Sequence, residues 1–209
     1  MFKTKNLTFK GFLKYNDIHI LGQKINFIQG PSGAGKSTLL KLFNRTENFS
    51  TGDIIFKETS ILEYESISLR KTVKLISQTT FLFPTTIREN FKIFHNYCNY
   101  KIELNDKILS TFLNITSADF DLNTDCNNLS GGEKQRVYIA ICLSMESEVI
   151  MLDEPTSSLD PTLSHKVMEN IINYIKTNNK TLIVISHDTS LVDKFAENII
   201  LLKGDINHG

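Results

Sequence analysis

A chain of 209 residues with 41% hydrophobic and 22% charged side chains holds enough apolar material for a real core, and suits one large domain or one domain with a smaller lobe. Lys plus Arg equals Asp plus Glu at 23 each, which excludes the global basic field expected of a nucleic-acid binder. The three cysteines, Cys98, Cys126 and Cys142, are far apart and lack metal-ligand spacing, so they read as inert thiols in a reducing compartment.

The first residues, "MFKTKNLTFK", contain no continuous apolar stretch of signal-peptide length. "LTFKGFLKYNDIHILGQ" alternates with strand period and predicts a small antiparallel β region. "KINFIQ" is a short apolar strand, followed by a glycine-rich loop and the helical pattern "KSTLLKLFN". "GDIIF" is another short strand, and "TVKLIS" leads into Gln78. From there to about Asn128 the pattern turns helical and irregular, with aromatics in "FLFPTTIRENFKIFHNY". "EVIML" and "TLIVIS" are continuous apolar runs of the kind buried parallel strands use. Between them "PTLSHKVMENIINYIKTNN" opens on a proline and carries an apolar face at three-and-four spacing, which predicts a helix.

Strands alternating with helices imply an α/β fold with a mainly parallel sheet. The interruption after Gln78 predicts an inserted helical subdomain at about 79–135 within a single domain over 1–209. The longest apolar runs, "VYIAICL" and "IILL", fall far short of the ~18 residues a membrane span needs. The expectation is a soluble, cytoplasmic chain whose membrane role comes through a partner. "NIILLKGDINHG" ends soon after the last predicted strand, and no C-terminal regulatory domain is expected.

"GPSGAGKST", Gly30, Pro31, Ser32, Gly33, Ala34, Gly35, Lys36, Ser37 and Thr38, fits the phosphate-loop pattern G-x-x-x-x-G-K-[ST] between a strand and a helix. Its glycines let successive N–H groups face inward as an anion nest, and the helix N-terminus adds partial positive charge. Lys36 reaches β- and γ-phosphates, and Ser37 places its hydroxyl on Mg²⁺. "VIMLDEP" ends an apolar strand on Asp153, where a carboxylate holds Mg²⁺ beside Ser37. Glu154, one residue on, is placed to orient and deprotonate an attacking water. The competing reading makes both carboxylates plain polar residues at a strand end before Pro155.

"NLSGGEKQR" poses a different problem. Ser130 and Glu133 form a capping box for the buried helix that follows. Yet Gly131 and Gly132 fill its first turn, each costing about 1 kcal/mol relative to Ala. A cap alone does not need them.

The ordered set "GPSGAGKST", Gln78 after "VKLIS", "LSGGEKQR", "VIMLDEP", "SSLD" and "ISHD" resembles the ATP-binding cassette ATPases, the nucleotide-binding subunits of ABC transporters, from about Leu7 to Gly204. That resemblance implies a P-loop core with an N-terminal antiparallel β region and an inserted helical lobe. It implies ATP and Mg²⁺ as ligands, and a head-to-tail homodimer or paired cassette in which Ser130, Gly131 and Gly132 of one copy cover the γ-phosphate held by the other. By the same resemblance Gln78 touches Mg²⁺ and the attacking water, His187 contacts the γ-phosphate beside Glu154, and Asp160 lies at the dimer interface. An aromatic of the β region stacks on adenine; Phe9 is preferred over Phe12. Integral membrane permease subunits are the implied partners, held at the inner face of the cell membrane, with the aromatic-rich segment Phe81 to Phe94 receiving a short helix of the partner. A cassette ATPase acting on ribosomes or DNA is the alternative, opposed by the balanced charge, the single cassette and the absence of basic or coiled-coil insertions. A nucleotide sensor without turnover is opposed by the joint presence of Lys36, Asp153, Glu154 and His187.

Overall fold

Alternation over residues 2–9 turns Phe2, Leu7 and Phe9 inward along β1 (Phe2–Phe9). The period slips at Asn6, which takes φ 46°, and the pairing register shifts there. The computed structural model describes residues 1–99 and 104–203. In it β1 pairs antiparallel with β2 (Leu13–Lys14), β3 (His19–Ile20) and β5 (Thr51–Phe56), and β5 pairs with β6 (Thr59–Ser60). The strand read from "GDIIF" therefore joins the N-terminal sheet, not the parallel one. Phe2 stacks on its cross-strand neighbour Phe56 at a centroid distance of 4.6 Å and on Phe43 at 4.7 Å, and the second contact binds that sheet to the core.

The second sheet is wholly parallel. β4 (Ile25–Gln29), β7 (Val73–Ile76), β8 (Val149–Asp153), β9 (Thr181–Ile185) and β10 (Asn198–Leu201) lie in the order β10-β4-β9-β8-β7. β8 and β9 are buried along their whole length, which is why both read as unbroken apolar runs. Their side chains alternate between two cores. Val149, Met151, Ile183 and Ile185 face the antiparallel sheet and α1 (Lys36–Phe43), while Ile150, Leu152, Leu182 and Val184 face the remaining helices.

Those helices are α3 (Ile87–Tyr97), α4 (Asp106–Ile115), α5 (Gly131–Leu143) and α6 (Pro161–Thr177). Each starts on a side-chain cap: Thr86, Asn105, Ser130 and Asp160 accept from backbone N–H groups of the first turn. Short helices α2 (Ser66–Thr72) and α7 (Thr189–Phe195), too brief to show a clear period, escape the sequence reading. Ile87, Phe91, Leu109 and Phe112 of the lobe share one apolar cluster with Leu152 and Val184 of the sheet. α5 runs through the expected lobe edge near residue 135 without a break, and from Gln135 to Leu143 all but the partly buried Tyr138 are buried. His95 of α3 also ties the lobe to the end of α5 through Ser144 Oγ, 2.8 Å from its Nε2. The expected lobe and chain end include residues 100–103 and 204–209, which lie outside the described residues. Among the described residues no helix is long and apolar enough to cross a membrane.

Candidate active site

A parallel sheet delivers all its carboxyl ends to one edge, so loops from β4, β7, β8 and β9 meet there. Each of these strands leads into one of the motifs singled out in the sequence. β4 feeds the loop Gly30–Gly35; β7 leads to Gln78, β8 ends on Asp153, and β9 leads to His187.

The loop from β4 folds around its own lysine. Lys36 is 7% exposed, and its Nζ donates to the carbonyls of Gly30 at 2.9 Å and Pro31 at 3.0 Å. Gly35, at φ 80°, initiates α1 in the left-handed region. A Cβ there would sit 2.4 Å from Leu13 Cδ2 and 2.7 Å from the Tyr15 hydroxyl, which donates to the Gly35 carbonyl at 2.9 Å. The segment after β1 is thus packed directly on the phosphate loop. Phe9, the last residue of β1, is 8% exposed and belongs to the core, whereas Phe12 in the segment that follows is 45% exposed. This corrects the preference for Phe9 as a stacking platform: its inward position in the strand period commits the ring to the interior.

Two carboxylates face the loop. Ser37 Oγ donates to Asp153 Oδ1 at 3.0 Å. Burial pushes the Asp153 carboxyl above its usual range; the Ser37 bond opposes that rise and the Glu154 charge adds to it. Glu154 takes φ 51°, its N–H donating to Ile185 O at 3.1 Å while its carbonyl accepts from Gln135 Nε2 at 3.3 Å and Ser157 Oγ at 3.2 Å. The turn swings its side chain between two others: Gln78 Nε2 donates to Glu154 Oε2 at 3.2 Å, and His187 Nε2 lies 3.3 Å from Oε1. Gln78, Asp153, Glu154, His187, Lys36 and Ser37 thus meet at this edge of the sheet.

Gln135 was missed. It joins the Glu154 carbonyl to Ser158, whose hydroxyl donates to Gln135 Oε1 at 2.6 Å, and so couples α5 to the loop before α6. Its place one helical turn after Gly131, on the side facing "SSLD", was the available signal.

The signature turn stands apart. Ser130 and Glu133 complete the capping box, Ser130 N–H donating to Glu133 Oε2 at 2.8 Å. A Cβ on Gly132 would meet Leu159 Cδ2 at 3.1 Å and Ser158 O at 3.3 Å, whereas one on Gly131 would meet nothing within 4 Å. Gly132 is therefore explained within the chain and Gly131 is not. Among the described residues no hydrogen bond links Ser130, Gly131 or Gly132 to residues 30–38. Asp160 caps α6 through Leu163 N–H at 3.0 Å, a local duty fulfilled inside one copy.

A family model described as ABC transporter matches residues 15–157, well over half of the chain and from the packed segment beside the phosphate loop to the residues after Glu154. The chain belongs to the ABC transporter family. The cassette is 31% identical, over 98% of its length and 88% of the relative's, to the "Probable ABC transporter ATP-binding protein p29" of Mesomycoplasma hyorhinis. It is 32% identical to the glycine betaine/carnitine/choline transport ATP-binding protein OpuCA of Bacillus subtilis, over 87% of this chain but 48% of that protein. Among solved structures it superposes at TM-score 0.83, with 27% identity and coverage of 100% and 97%, on a dimeric ATP-binding cassette in a post-hydrolysis state bound to ADP and Pi. It also matches cbiO1 of Clostridium perfringens, part of the ABC transporter complex cbiONQ, at TM-score 0.82 and 27% identity over 98% of this chain and 85% of that one.

Proposed function

We propose that this cassette binds and hydrolyses ATP with Mg²⁺ between two head-to-tail copies, and drives transport through separate integral membrane subunits at the inner face of the cell membrane. The observation that carries the reading is the Glu154 carboxylate, held between Gln78 and His187 one residue after the Asp153–Ser37 pair. The residues fit a magnesium ion of the substrate-bridging kind. Among the described residues no cluster of three His, Cys, Asp or Glu side chains forms a cage, while Ser37 and Asp153 offer two hard oxygens 3.0 Å apart beside a phosphate loop. Bound there with Gln78 nearby, the ion supplies charge neutralisation for the phosphate oxygens.

The chain's own groups do the rest. Loop N–H groups from Gly30 to Thr38 cradle the phosphates, and Lys36 exchanges its two carbonyl partners for β- and γ-oxygens. Glu154 orients a water and accepts its proton as the new P–O bond forms and the β,γ-bridging bond breaks, releasing ADP and phosphate. His187 holds the γ-phosphate and Gln78 the water, each already at the Glu154 carboxylate. Phe12 offers the exposed ring for adenine. Ser130, Gly131 and Gly132 of the second copy close the cage, with Asp160 at the interface. Gly131, open on its own chain, is the position that such an approach accounts for. The dimeric state of the ADP-bound neighbour supports the pairing, and the transporter complex containing cbiO1 supports a membrane partner. The aromatic run Phe81, Phe83, Phe94 and Tyr97, linked by ring contacts and exposed at Phe81 and Tyr97, is the surface for a short helix of that partner. The whole chain acts as one ATPase domain, the lobe sharing its core.

Glu154→Gln tests the reading. It keeps the binding groups and removes the base, so ATP is expected to accumulate a stable dimer while phosphate release stops. Sizing that finds only monomer with saturating ATP and Mg²⁺ sinks the composite site.

A further inference from the structure

The loop that carries His187 is tied to a helix outside the active-site carboxylates by a chain of three side chains. Asp188, next to His187, caps α7: its Oδ1 accepts from Ser190 N–H at 2.9 Å and from Leu191 N–H at 3.4 Å. The same oxygen accepts from the Ser190 hydroxyl at 2.5 Å. Ser190 Oγ in turn lies 2.8 Å from Nε2 of His165, on α6. The Ser190 bond holds the Asp188 carboxyl below the usual carboxylate range, with the two backbone bonds and His165 acting in the same direction.

An ionised Asp188 only accepts, so the single Ser190 proton goes to it and the remaining hydrogen bond must be donated by His165 Nε2–H. Direction is therefore fixed along the whole chain, from α6 to Ser190 to Asp188, and each bond is strengthened by the charge at its end. A second bond inside the loop, Asp188 N–H to Ser186 Oγ at 3.1 Å, makes residues 186–190 a tight turn with His187 near its middle. Pro161 and Ser164, in the first turn of α6, line a small cavity of about 150 Å³ together with Glu154, Ser186 and His187. Asp188 lines this cavity as well, so the chain from His165 through Ser190 ends at its wall beside His187.

We infer that His165, through Ser190 and Asp188, is a positioning residue for ATP hydrolysis: it sets the distance of the His187 loop from α6 and hence from Glu154. It touches neither nucleotide nor water. The inference rests on the assignment of His187 to the γ-phosphate and adds the strut that holds it. Loss of the strut leaves the phosphate loop whole, so ATP binding is retained while the His187–Glu154 approach loosens.

Steady-state phosphate release by the full chain with ATP and Mg²⁺ separates the possibilities. His165→Ala and Ser190→Ala are each expected to lower kcat by about threefold to tenfold, the scale of one lost hydrogen bond, with KM for ATP within about twofold, since the phosphate loop keeps its own contacts. The double variant should be no slower than either single one. His165→Gln, which keeps a donor, should recover most of the rate. An unchanged kcat in His165→Ala, additive losses, or a parallel rise in KM each overturns the strut. His187→Ala is the control: if it turns over like the parent, the reading of His187 is wrong, whereas a dead His187→Ala beside a fully active His165→Ala rejects the strut alone. ¹H–¹⁵N spectra of the apo chain give a readout independent of turnover. The His187 and Asp188 amide signals must move in His165→Ala and return in His165→Gln; unmoved signals reject the coupling.

Discussion

The phosphate loop and the signature turn are both glycine-rich starts of helices, and they differ in completeness. The loop is satisfied by its own chain: Lys36 is bonded to two loop carbonyls, and Gly35 is crowded by Leu13 and Tyr15. The signature turn has its cap, but its first glycine faces open space. A glycine demanded by intrachain crowding is a folding device. One that nothing crowds, at a cost of about 1 kcal/mol in a helix, points to a contact that the single chain does not make.

The largest expected effect breaks the loop side. Lys36→Ala removes the cation, and turnover should fall by about 10²–10³-fold together with ATP binding, measured by phosphate release and nucleotide titration. Retained turnover would mean that the phosphate charge is met elsewhere. The glycine pair sharpens the contrast directly. Gly131→Ala should raise the thermal midpoint of the apo chain, by up to about 1 kcal/mol of stability, while ATP-dependent dimerisation of a Glu154→Gln background is lost. Gly132→Ala gains the same helix term but crowds Ser158 and Leu159, so its midpoint should stay level or fall. If both alanines stabilise equally and both dimerise, the distinction between the two glycines collapses.

The smallest effect concerns the lobe that carries the signature turn. Burial lowers the His95 pKa; Lys74 lowers it further and Glu146 opposes. His95 packs between α3 and α5 against Ser144. A depressed folded value means that neutral His95 is favoured in the native state. Its stability contribution is therefore present above the unfolded value near 6.5 and lost as pH falls through the folded value. Melting followed from pH 7.5 to 5 should show a steeper loss in the parent than in His95→Gln. Equal slopes would remove His95 from the link between lobe and sheet.

The contiguous motifs were legible because each is a local solution to one problem. Lys36 follows its loop glycines directly, and Asp153 and Glu154 close an apolar strand whose parallel neighbours bring Gln78 and His187 to the same edge. Residues whose role depends on distant partners were not. "GDIIF" has the same local pattern in either sheet, and only its pairing with β1 decides its place. Phe9 and Phe12 are equally aromatic on paper; the strand period separates them once the end of β1 is known. Gln135 sits inside a recognised motif, yet its bonds reach 19 and 23 residues along the chain.

The φ of 51° at Glu154 has a cost for any other selection on this molecule. A residue with a β-carbon in the left-handed region gives up about 1–2 kcal/mol. A glycine would recover that and lose only about 0.4–1 kcal/mol through a more flexible unfolded chain. A screen that rewarded heat resistance alone would therefore drift toward deleting the very carboxylate that Gln78 and His187 hold. Durability and chemistry compete at a single backbone torsion.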